Sequence, residues 1–387
     1  MIKRLHVTNF RSLKELDFRP GLTNVLVGPN AAGKSNIVDV FKFLTNVARD
    51  GLIKAFLNRL GYPEVAWKGK DAGPIGITIE VEANLEPGRP QQAEYQIEID
   101  GTPLGAITVR RERLTLSGNG RTMNLLDLSM GQGEVRHADG TRAFDTPRKP
   151  AASVLEYTVP DWAGTLFKQY LAGWQFHRLD PLMMKQANPA SRAPFLIERG
   201  DNLAAWLATL KTSHSEHFRR IEQVAKDAFP GLLELVTELT ETQTTFLSSR
   251  ERYLTRPVPV WGLADGELCF IALASLILAP PELSAPLHCA EEIENHLHPR
   301  LLTTLVELLK QEQTRYLESP GASQVFITTH SPYLVDQFAL DELVVVDKVE
   351  GQTRCARASD KAHLRELLER EELGLGELWY SGALGGV

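Results

Sequence analysis

The segment from Gly28 to Ser35 contains the residues whose types and spacing most clearly point to chemistry. It reads Gly28-Pro29-Asn30-Ala31-Ala32-Gly33-Lys34-Ser35, which matches the pattern G-x-x-x-x-G-K-[ST]. Glycines let the backbone curl so that successive N–H groups point at phosphate oxygens. We expect Lys34 to reach the β- and γ-phosphates of a nucleotide and the Ser35 hydroxyl to ligate Mg²⁺. A buried strand before the loop and an amphipathic helix after it favour the same interpretation.

Two consecutive acids form a second candidate site far along the chain. The apolar run that starts at Leu287 ends in Glu291 and Glu292. A carboxylate at such a strand end can hold Mg²⁺ through water, and the next one can polarise an attacking water. These acids could instead be a solvated helix start, but the phosphate loop upstream favours the functional interpretation. Glu294 is interpreted as a solvated surface residue.

The elements that must position these residues follow from hydrophobic periodicity. Residues 2–27 read as three strands, and Ile37, Val40, Phe41 and Leu44 then recur at helical spacing. Residues 75–116 alternate like an antiparallel sheet, whereas residues 117–150 are rich in Gly, Asp, Arg and Pro and are interpreted as an exposed hairpin and loop.

The second half of the chain indicates a helical insertion followed by an α/β segment. Residues 161–240 are expected to be mainly helical, and the last third alternates helices with short apolar strands typical of a parallel sheet. The sequence therefore predicts an α/β fold divided into an N-terminal lobe (1–160), a helical insertion (161–250) and a C-terminal lobe (251–387).

Composition narrows the class of protein but not its function. The chain has 387 residues and a formal charge of −7, and we find no apolar run of about 18 residues of the kind that spans a membrane. The N-terminus lacks an apolar signal core, so a cytoplasmic location is expected. Three widely spaced cysteines fit no metal motif and are predicted to be reduced thiols.

Four motifs in order resemble those of the RecF/SMC family of ABC-type ATPases. They are the opening Ile2–Leu5 with Asn9–Ser12 and the phosphate loop, the signature-like Leu263–Glu267, the acidic segment Glu291–Pro299, and Phe326–Pro332. The resemblance implies an ABC-type ATPase head: a mixed sheet with antiparallel N-terminal strands, a P-loop α/β core and a helical insertion. ATP and Mg²⁺ are the implied cofactors.

The resemblance also implies roles for individual residues. Two chains would sandwich two nucleotides, and the signature residues would bind the γ-phosphate held by the partner; these residues are Leu263, Ala264, Asp265 and Gly266. His330 would contact the γ-phosphate in its own site, although a histidine after an apolar strand could equally be a core residue. Arg11 would approach the nucleotide, with a solvated strand-end charge as the alternative.

Two residues depart from the family pattern, and the position of a third family residue is not obvious in this sequence. Ala264 replaces the usual serine and so removes a hydroxyl, and Glu291 stands where aspartate is usual. Both departures bear on the rate of hydrolysis more than on nucleotide binding. Gln175 is the best candidate for the glutamine that contacts the metal in relatives, against the alternative of a surface glutamine on an edge strand.

Three classes of function fit these observations. The first is an ATPase switch that controls a DNA transaction or a separately encoded effector such as a nuclease, as in phage defence and DNA repair. The second is an ATP-sensing scaffold without hydrolysis, and the third, disfavoured by the motifs, is a transporter motor. Direct DNA contact has limited support from two basic clusters, 110–113 and 142–149, because short charge runs are usually solvated.

Overall fold

The computed structural model describes residues 1–85, 90–118, 121–144, 149–316, 323–360 and 374–380. These residues belong to two units. The first comprises Met1–Trp174, Gln324–Phe326 and Ala339–Val387, and the second comprises Gln175–Ser323 and Ile327–Phe338. The division of the sequence at residues 160 and 250 stays a prediction.

The first unit contains an antiparallel sheet built from strands with alternating burial. The strands are β1 (Ile2–Phe10), β2 (Leu13–Phe18), β4 (Ile75–Ala83), β5 (Gln91–Gly101), β6 (Ile107–Gly118), β7 (Arg121–Ser129), β8 (Gln132–Arg136) and β9 (Arg142–Phe144). Their order across the sheet is β2-β1-β4-β5-β6-β7-β8-β9. In β4 every second residue from Ile75 to Ala83 is buried, the period-2 pattern of a sheet with one buried face. The predicted antiparallel sheet is confirmed.

Residues 117–150, expected to be an exposed hairpin and loop, contain the hairpin but add it to the antiparallel sheet. Strands β7, β8 and β9 continue the sheet there, and Leu125, Leu126, Leu128 and Val135 are buried. Glycine and arginine made this segment look like a loop, but its few apolar residues fall at positions that face the core. Residues 119–120 and 145–148 lie outside the described part of the chain.

The phosphate loop lies between a buried strand and a long helix, as predicted. All five residues of β3 (Thr23–Val27) are buried, and α1 (Lys34–Asp50) buries Ile37, Val40, Phe41 and Leu44. Strand β3 pairs in parallel with β17 (Leu343–Val349), which pairs antiparallel with β18 (Gln352–Arg357). The remaining helices of this unit are α2 (Leu52–Leu57), α3 (Tyr62–Val65), α4 (Ala163–Ala172) and α11 (Leu375–Tyr380).

The second unit combines helices with a small sheet and two parallel strands. Its strands are β10 (Gln175–His177), β11 (Asn188–Pro189), β12 (Leu232–Leu239), β13 (Thr244–Glu251), β14 (Val258–Pro259) and β15 (Leu287–Glu291), and β16 (Gln324–Thr328) ends in it. Its helices are α5 (Pro181–Met184), α6 (Leu203–Ser213), α7 (Ser215–Ala228), α8 (Asp265–Ile277), α9 (Pro299–Tyr316) and α10 (Pro332–Val335). About half of residues 161–240 are helical, and the segment also contains β10, β11 and β12.

The three cysteines are free thiols, as the composition predicted. They are Cys269, Cys289 and Cys355, and burial raises the pKa of Cys269 to about 12. Such thiols are unreactive because the thiolate is the nucleophilic form.

No helix within the described ranges is both long and apolar enough to cross a membrane.

A buried carboxylate fastens the segment after the antiparallel sheet to β6. Glu112 accepts hydrogen bonds from Ser153 Oγ at 2.5 Å, Tyr95 Oη at 2.8 Å and the Val154 N–H at 2.9 Å. Burial raises the pKa of the Glu112 carboxyl. The three donors offset the cost of placing this acid in the core.

Replacing Glu112 with alanine is expected to destabilise the fold. The substitution leaves three buried donors unpaired, so the free energy of unfolding should fall by about 2–4 kcal/mol. Urea denaturation measures the effect. The control is Glu134→Ala, which removes an exposed partner of Arg136 and should change stability by less than about 0.5 kcal/mol. Equal losses in both variants would contradict the role given to Glu112.

Candidate nucleotide site

The phosphate loop has a backbone conformation that requires glycine at position 33. Gly33 has φ +108°, and a β-carbon there would lie 2.0 Å from Thr353 Oγ1. Thr353 is fully buried and donates its hydroxyl to the Ala32 carbonyl at 2.7 Å. Ala31 also has a positive φ of 64°. The loop is therefore shaped by its own glycine and by a threonine from β18.

Lys34 and Ser35 open helix α1 at the end of this loop. Lys34 is 6% exposed, and its ammonium donates to the carbonyls of Gly28 at 2.8 Å and Pro29 at 3.1 Å. No side chain caps the helix at Gly33, so the N-terminal end of α1 keeps the polarity that attracts anions. A buried ammonium beside an uncapped helix start is the arrangement that phosphate binding requires.

Arg11 is held in place by an acid on the first helix. It has φ +50°, and its Nε donates to Asp39 Oδ2 at 2.6 Å. Asp39 is also paired with the buried Arg59 at 2.7 Å. Asp39 therefore fixes the guanidinium of Arg11 from the side of α1, which sequence periodicity did not indicate.

A cavity of about 430 Å³ lies beside the first turn of α1. It is lined by Arg11, Ser12, Asn36, Glu64, Ala66, Trp67, Lys68, Gly69, Lys348 and Gly351. The Trp67 indole N–H is buried and lacks a hydrogen-bond partner among the described residues. An aromatic face, an unpaired donor and cationic side chains could take the nucleoside part of a nucleotide.

In the second unit the paired acids stand at the end of a parallel strand pair. Strand β15 ends at Glu291, and β10 runs parallel to it with His177 opposite Ala290. Glu292 follows with φ +52°, and its N–H donates to the Thr328 carbonyl at 2.9 Å. This left-handed backbone costs energy for a non-glycine residue and often marks a functional position.

The Glu292 carboxylate is contacted by two side chains. Asn295 Nδ2 donates to Glu292 Oε2 at 3.0 Å, and Arg178 Nη2 lies 3.5 Å from the same oxygen. Glu291, Glu292, Arg178 and Asn295 line one small cavity of about 70 Å³. Both acids thus line one small polar cavity, and their catalytic and metal-binding roles stay predictions.

Two histidines pack behind this site as neutral core groups. His177 and His288 stack with ring centroids 5.6 Å apart. Burial lowers the pKa of His177 well below its ordinary value and that of His288 to about 4. Both rings are therefore uncharged at neutral pH.

The signature residues lie at the start of α8. Leu263 is buried and Ala264 is exposed. Ala264 occupies the N-cap position, where its N–H donates to Glu267 Oε2 at 3.0 Å, but its methyl group cannot supply the capping oxygen that serine would. Asp265 pairs with Lys185 Nζ at 2.7 Å and lies 3.9 Å from His296 Nδ1.

Gly266 makes a close backbone approach within the same unit. A β-carbon on Gly266 would lie 2.7 Å from the His296 carbonyl oxygen. The loop that contains His296 follows Glu292, so the start of α8 and the acidic segment are packed against each other. Position 266 therefore has no room for a side chain, and glycine is required there.

The interpretation of Glu294 as a solvated residue was wrong. Its Oε1 accepts a hydrogen bond from the His330 N–H at 2.6 Å, and its Oε2 is buried without a partner among the described residues. The carboxylate ties the segment after β15 to the segment after β16. The apolar spacing around residue 294 gave no signal of this contact.

Gln175 is the first residue of β10, half-buried and opposite His288, and its metal-binding role stays a prediction.

The arginines of the basic cluster at residues 110–113 lie close to acids. Arg110 is paired with Asp100 at 2.7 Å, while Arg111 and Arg113 lie 3.7 and 3.9 Å from Asp127. Acids on neighbouring strands thus offset much of the positive charge of residues 110–113.

Comparisons with known proteins agree with this geometry. A family model described as "AAA ATPase domain" matches residues 1–84, and one described as "AAA domain, putative AbiEii toxin, Type IV TA system" matches residues 167–336. No curated protein matches the chain in sequence.

Two solved structures share the fold over nearly the whole chain. An Smc head bound to the C-terminal winged-helix domain of ScpA is 15% identical, with a TM-score of 0.56 and coverage of 92% of this chain and 96% of that one. A Pyrococcus furiosus Smc head with an extended coiled coil, bound to the C-terminal domain of ScpA, is 14% identical, with a TM-score of 0.54 and coverage of 96% and 99%. These identities establish the fold only.

Residues 1–84 and 167–336 are similar to AAA ATPase domains, and the chain shares the fold of Smc heads. Together with the phosphate loop, these matches support an ABC-type ATPase of the RecF/SMC-like kind. The predicted fold class, a mixed α/β head with antiparallel N-terminal strands, is confirmed.

Gly33→Ala is expected to disrupt the phosphate loop without unfolding the protein. The new methyl group would collide with Thr353, so affinity for a non-hydrolysable ATP analogue should fall at least about tenfold, or 1.4 kcal/mol. Calorimetric titration measures it. Gly231→Ala is the matched control because a β-carbon there meets nothing within 4 Å. Wild-type affinity in Gly33→Ala would show that the loop does not bind the nucleotide.

Proposed function

We propose that this chain is an ATP-binding and ATP-hydrolysing molecular switch that dimerises around ATP and controls a separate effector. The observation that carries the proposal is the buried Lys34 at an uncapped helix start, within a loop whose curl depends on Gly33. Such a loop presents N–H groups and one ammonium to phosphate oxygens.

Nucleotide binding follows from the residues of the first unit. The backbone of Asn30–Ser35 would surround the β- and γ-phosphates, with Lys34 turning from the loop carbonyls to phosphate oxygens. Arg11, held by Asp39, would add a second cation. The cavity beside α1 would accept the base and ribose, with Trp67 as an aromatic surface.

Mg²⁺ fits the donor set as a partly hydrated ion. Among the described residues no three His, Cys, Asp or Glu side chains form a metal cage. Mg²⁺ in nucleotide sites is usually held by one or two protein oxygens together with phosphates and waters. The Ser35 hydroxyl and, through water, the Glu291 carboxylate are the proposed protein ligands, and Mg²⁺ would neutralise developing phosphate charge.

Hydrolysis would depend on the carboxylate of Glu292. Its position is set by a backbone bond to Thr328 and a side-chain bond from Asn295. A fixed carboxylate can orient a water and accept its proton as the water attacks the γ-phosphate. His330, whose N–H is bound by Glu294, would contact the γ-phosphate through its imidazole.

A second copy of the chain is the proposed partner at the signature. The start of α8 would face the γ-phosphate bound by that copy, offering the helix N-terminus in the absence of a serine hydroxyl. Asp265 is held by Lys185, and Gly266 packs closely against the His296 carbonyl, which preorganises this surface.

The effector is proposed to be encoded separately. The related Smc heads are bound to ScpA domains, which supports a head of this kind acting through another protein. A nuclease in phage defence or DNA repair, in the cytoplasm, is the proposed setting, with DNA as a further possible ligand. A non-hydrolysing, ATP-sensing scaffold is the competing function.

Lys34→Ala and Glu292→Gln are expected to separate binding from hydrolysis. Lys34→Ala should lose ATP binding, because the ammonium that neutralises the phosphates is removed. Glu292→Gln should bind ATP normally but hydrolyse it about 10²–10⁴-fold more slowly, because an amide cannot accept a proton. Titration with an ATP analogue and a phosphate-release assay measure the two effects. A wild-type chain that binds ATP without turnover would favour the scaffold.

Ala264→Ser should strengthen ATP-dependent self-association. The hydroxyl would restore one hydrogen bond to a charged phosphate oxygen, worth about 1.5–3 kcal/mol. Light scattering across an ATP titration in the presence of Mg²⁺ follows the association midpoint. An unchanged midpoint would place the start of α8 away from the dimer interface.

A further inference from the structure

Arg178 lies directly beside the proposed catalytic acid. It follows β10, whose parallel pairing with β15 brings the ends of both strands to one edge. The Arg178 N–H donates to the Glu198 carbonyl at 2.8 Å, which fixes its backbone. Its guanidinium reaches Glu292 Oε2 at 3.5 Å. The position of Arg178 thus results from strand pairing and not from a flexible loop.

The contacts to Glu292 are asymmetric. Asn295 and Arg178 both approach Oε2, and among the described residues no further side chain is seen to contact this carboxylate. Since Oε2 is engaged by two donors, Oε1 is the oxygen that could accept a proton from a reacting water. Arg178 and Asn295 together define the rotation of the carboxylate.

This ion pair is poorly suited to stabilise the fold. The side chain of Arg178 is 63% exposed, that of Glu292 is 35% exposed, and exposed pairs contribute little to stability. Arg199 provides a contrast in the same unit. It is also half-exposed, but it pairs with Asp180 instead of an acid of the site.

We infer that Arg178 is a positioning residue for hydrolysis, acting through Glu292. This inference rests on the proposed function. Arg178 holds Oε2 and so fixes the rotation of the carboxylate, which leaves Oε1 for the attacking water, and it makes no contribution to binding ATP.

Kinetics of single variants provide the first test. Arg178→Ala should lower kcat about 10- to 100-fold, with KM and affinity for an ATP analogue changed less than about twofold. Arg178→Lys should recover part of kcat, because it restores charge without the planar fork. Arg199→Ala should leave kcat within about twofold. An unchanged kcat in Arg178→Ala, or a loss confined to KM, would overturn the inference.

A double-mutant cycle tests whether Arg178 acts through Glu292. In the Glu292→Gln background, Arg178→Ala should reduce the residual single-turnover rate by less than about twofold, because coupled residues are not additive. A full additional loss would mean that Arg178 acts elsewhere and the inference is wrong. Arg178→Gln, which removes the charge but keeps part of the aliphatic stem, replaces the alanine variant if that one is misfolded. Absence of turnover in the wild-type chain would instead refute the proposed hydrolysis, while normal turnover in Glu292→Gln would refute the role of Glu292.

Discussion

The packing of Gly33 against Thr353 constrains the phosphate loop. Thr353 fills the space that a side chain at position 33 would occupy, and its hydroxyl bonds to the Ala32 carbonyl and lies 2.7 Å from Ser12 Oγ. The curl of the loop immediately before α1 depends on this packing. A threonine near the C-terminal end of the chain thus determines the shape of a loop near its beginning.

Several candidate site residues in both units have a left-handed backbone. Arg11 and Ala31 in the first unit, and Glu292 and His296 in the second, have positive φ without being glycine. Each such residue costs about 1–3 kcal/mol unless surrounding contacts compensate. For Arg11 the compensation includes Asp39, and for Glu292 it includes Thr328 and Asn295. Strain and compensating contacts together orient charged side chains that would otherwise rotate freely.

The two departures from the family pattern have different physical consequences. Ala264 removes a capping oxygen, but Glu267 still binds the Ala264 N–H, so α8 keeps a defined start. Glu291 has one more methylene than aspartate and stands at the end of β15, where a longer side chain can reach a water bound to a metal. Neither change disturbs the backbone that positions the motif.

The sequence by itself determined the local elements and the motifs. Period-2 and period-3.6 patterns predicted β1 to β6 and α1, and the phosphate loop was recognisable from glycine, lysine and serine at fixed spacing. These features are local, because they depend on neighbours within one turn or one strand. The hairpin within residues 121–144 was expected, but its addition to the sheet was not, because few apolar residues mark the face that packs against the core.

Only the tertiary structure decided which residues distant in sequence contact each other. Thr353 and Ala32 are 321 residues apart, and Glu294 and His330 are 36 apart. The partnership of Arg178 with Glu292 depends on the register of β10 against β15, which no periodicity encodes. Such pairings follow from the way strands align in space, and one sequence contains no local signal of them. The contacts of Asp39, Glu294 and Arg178 are therefore known only from the fold.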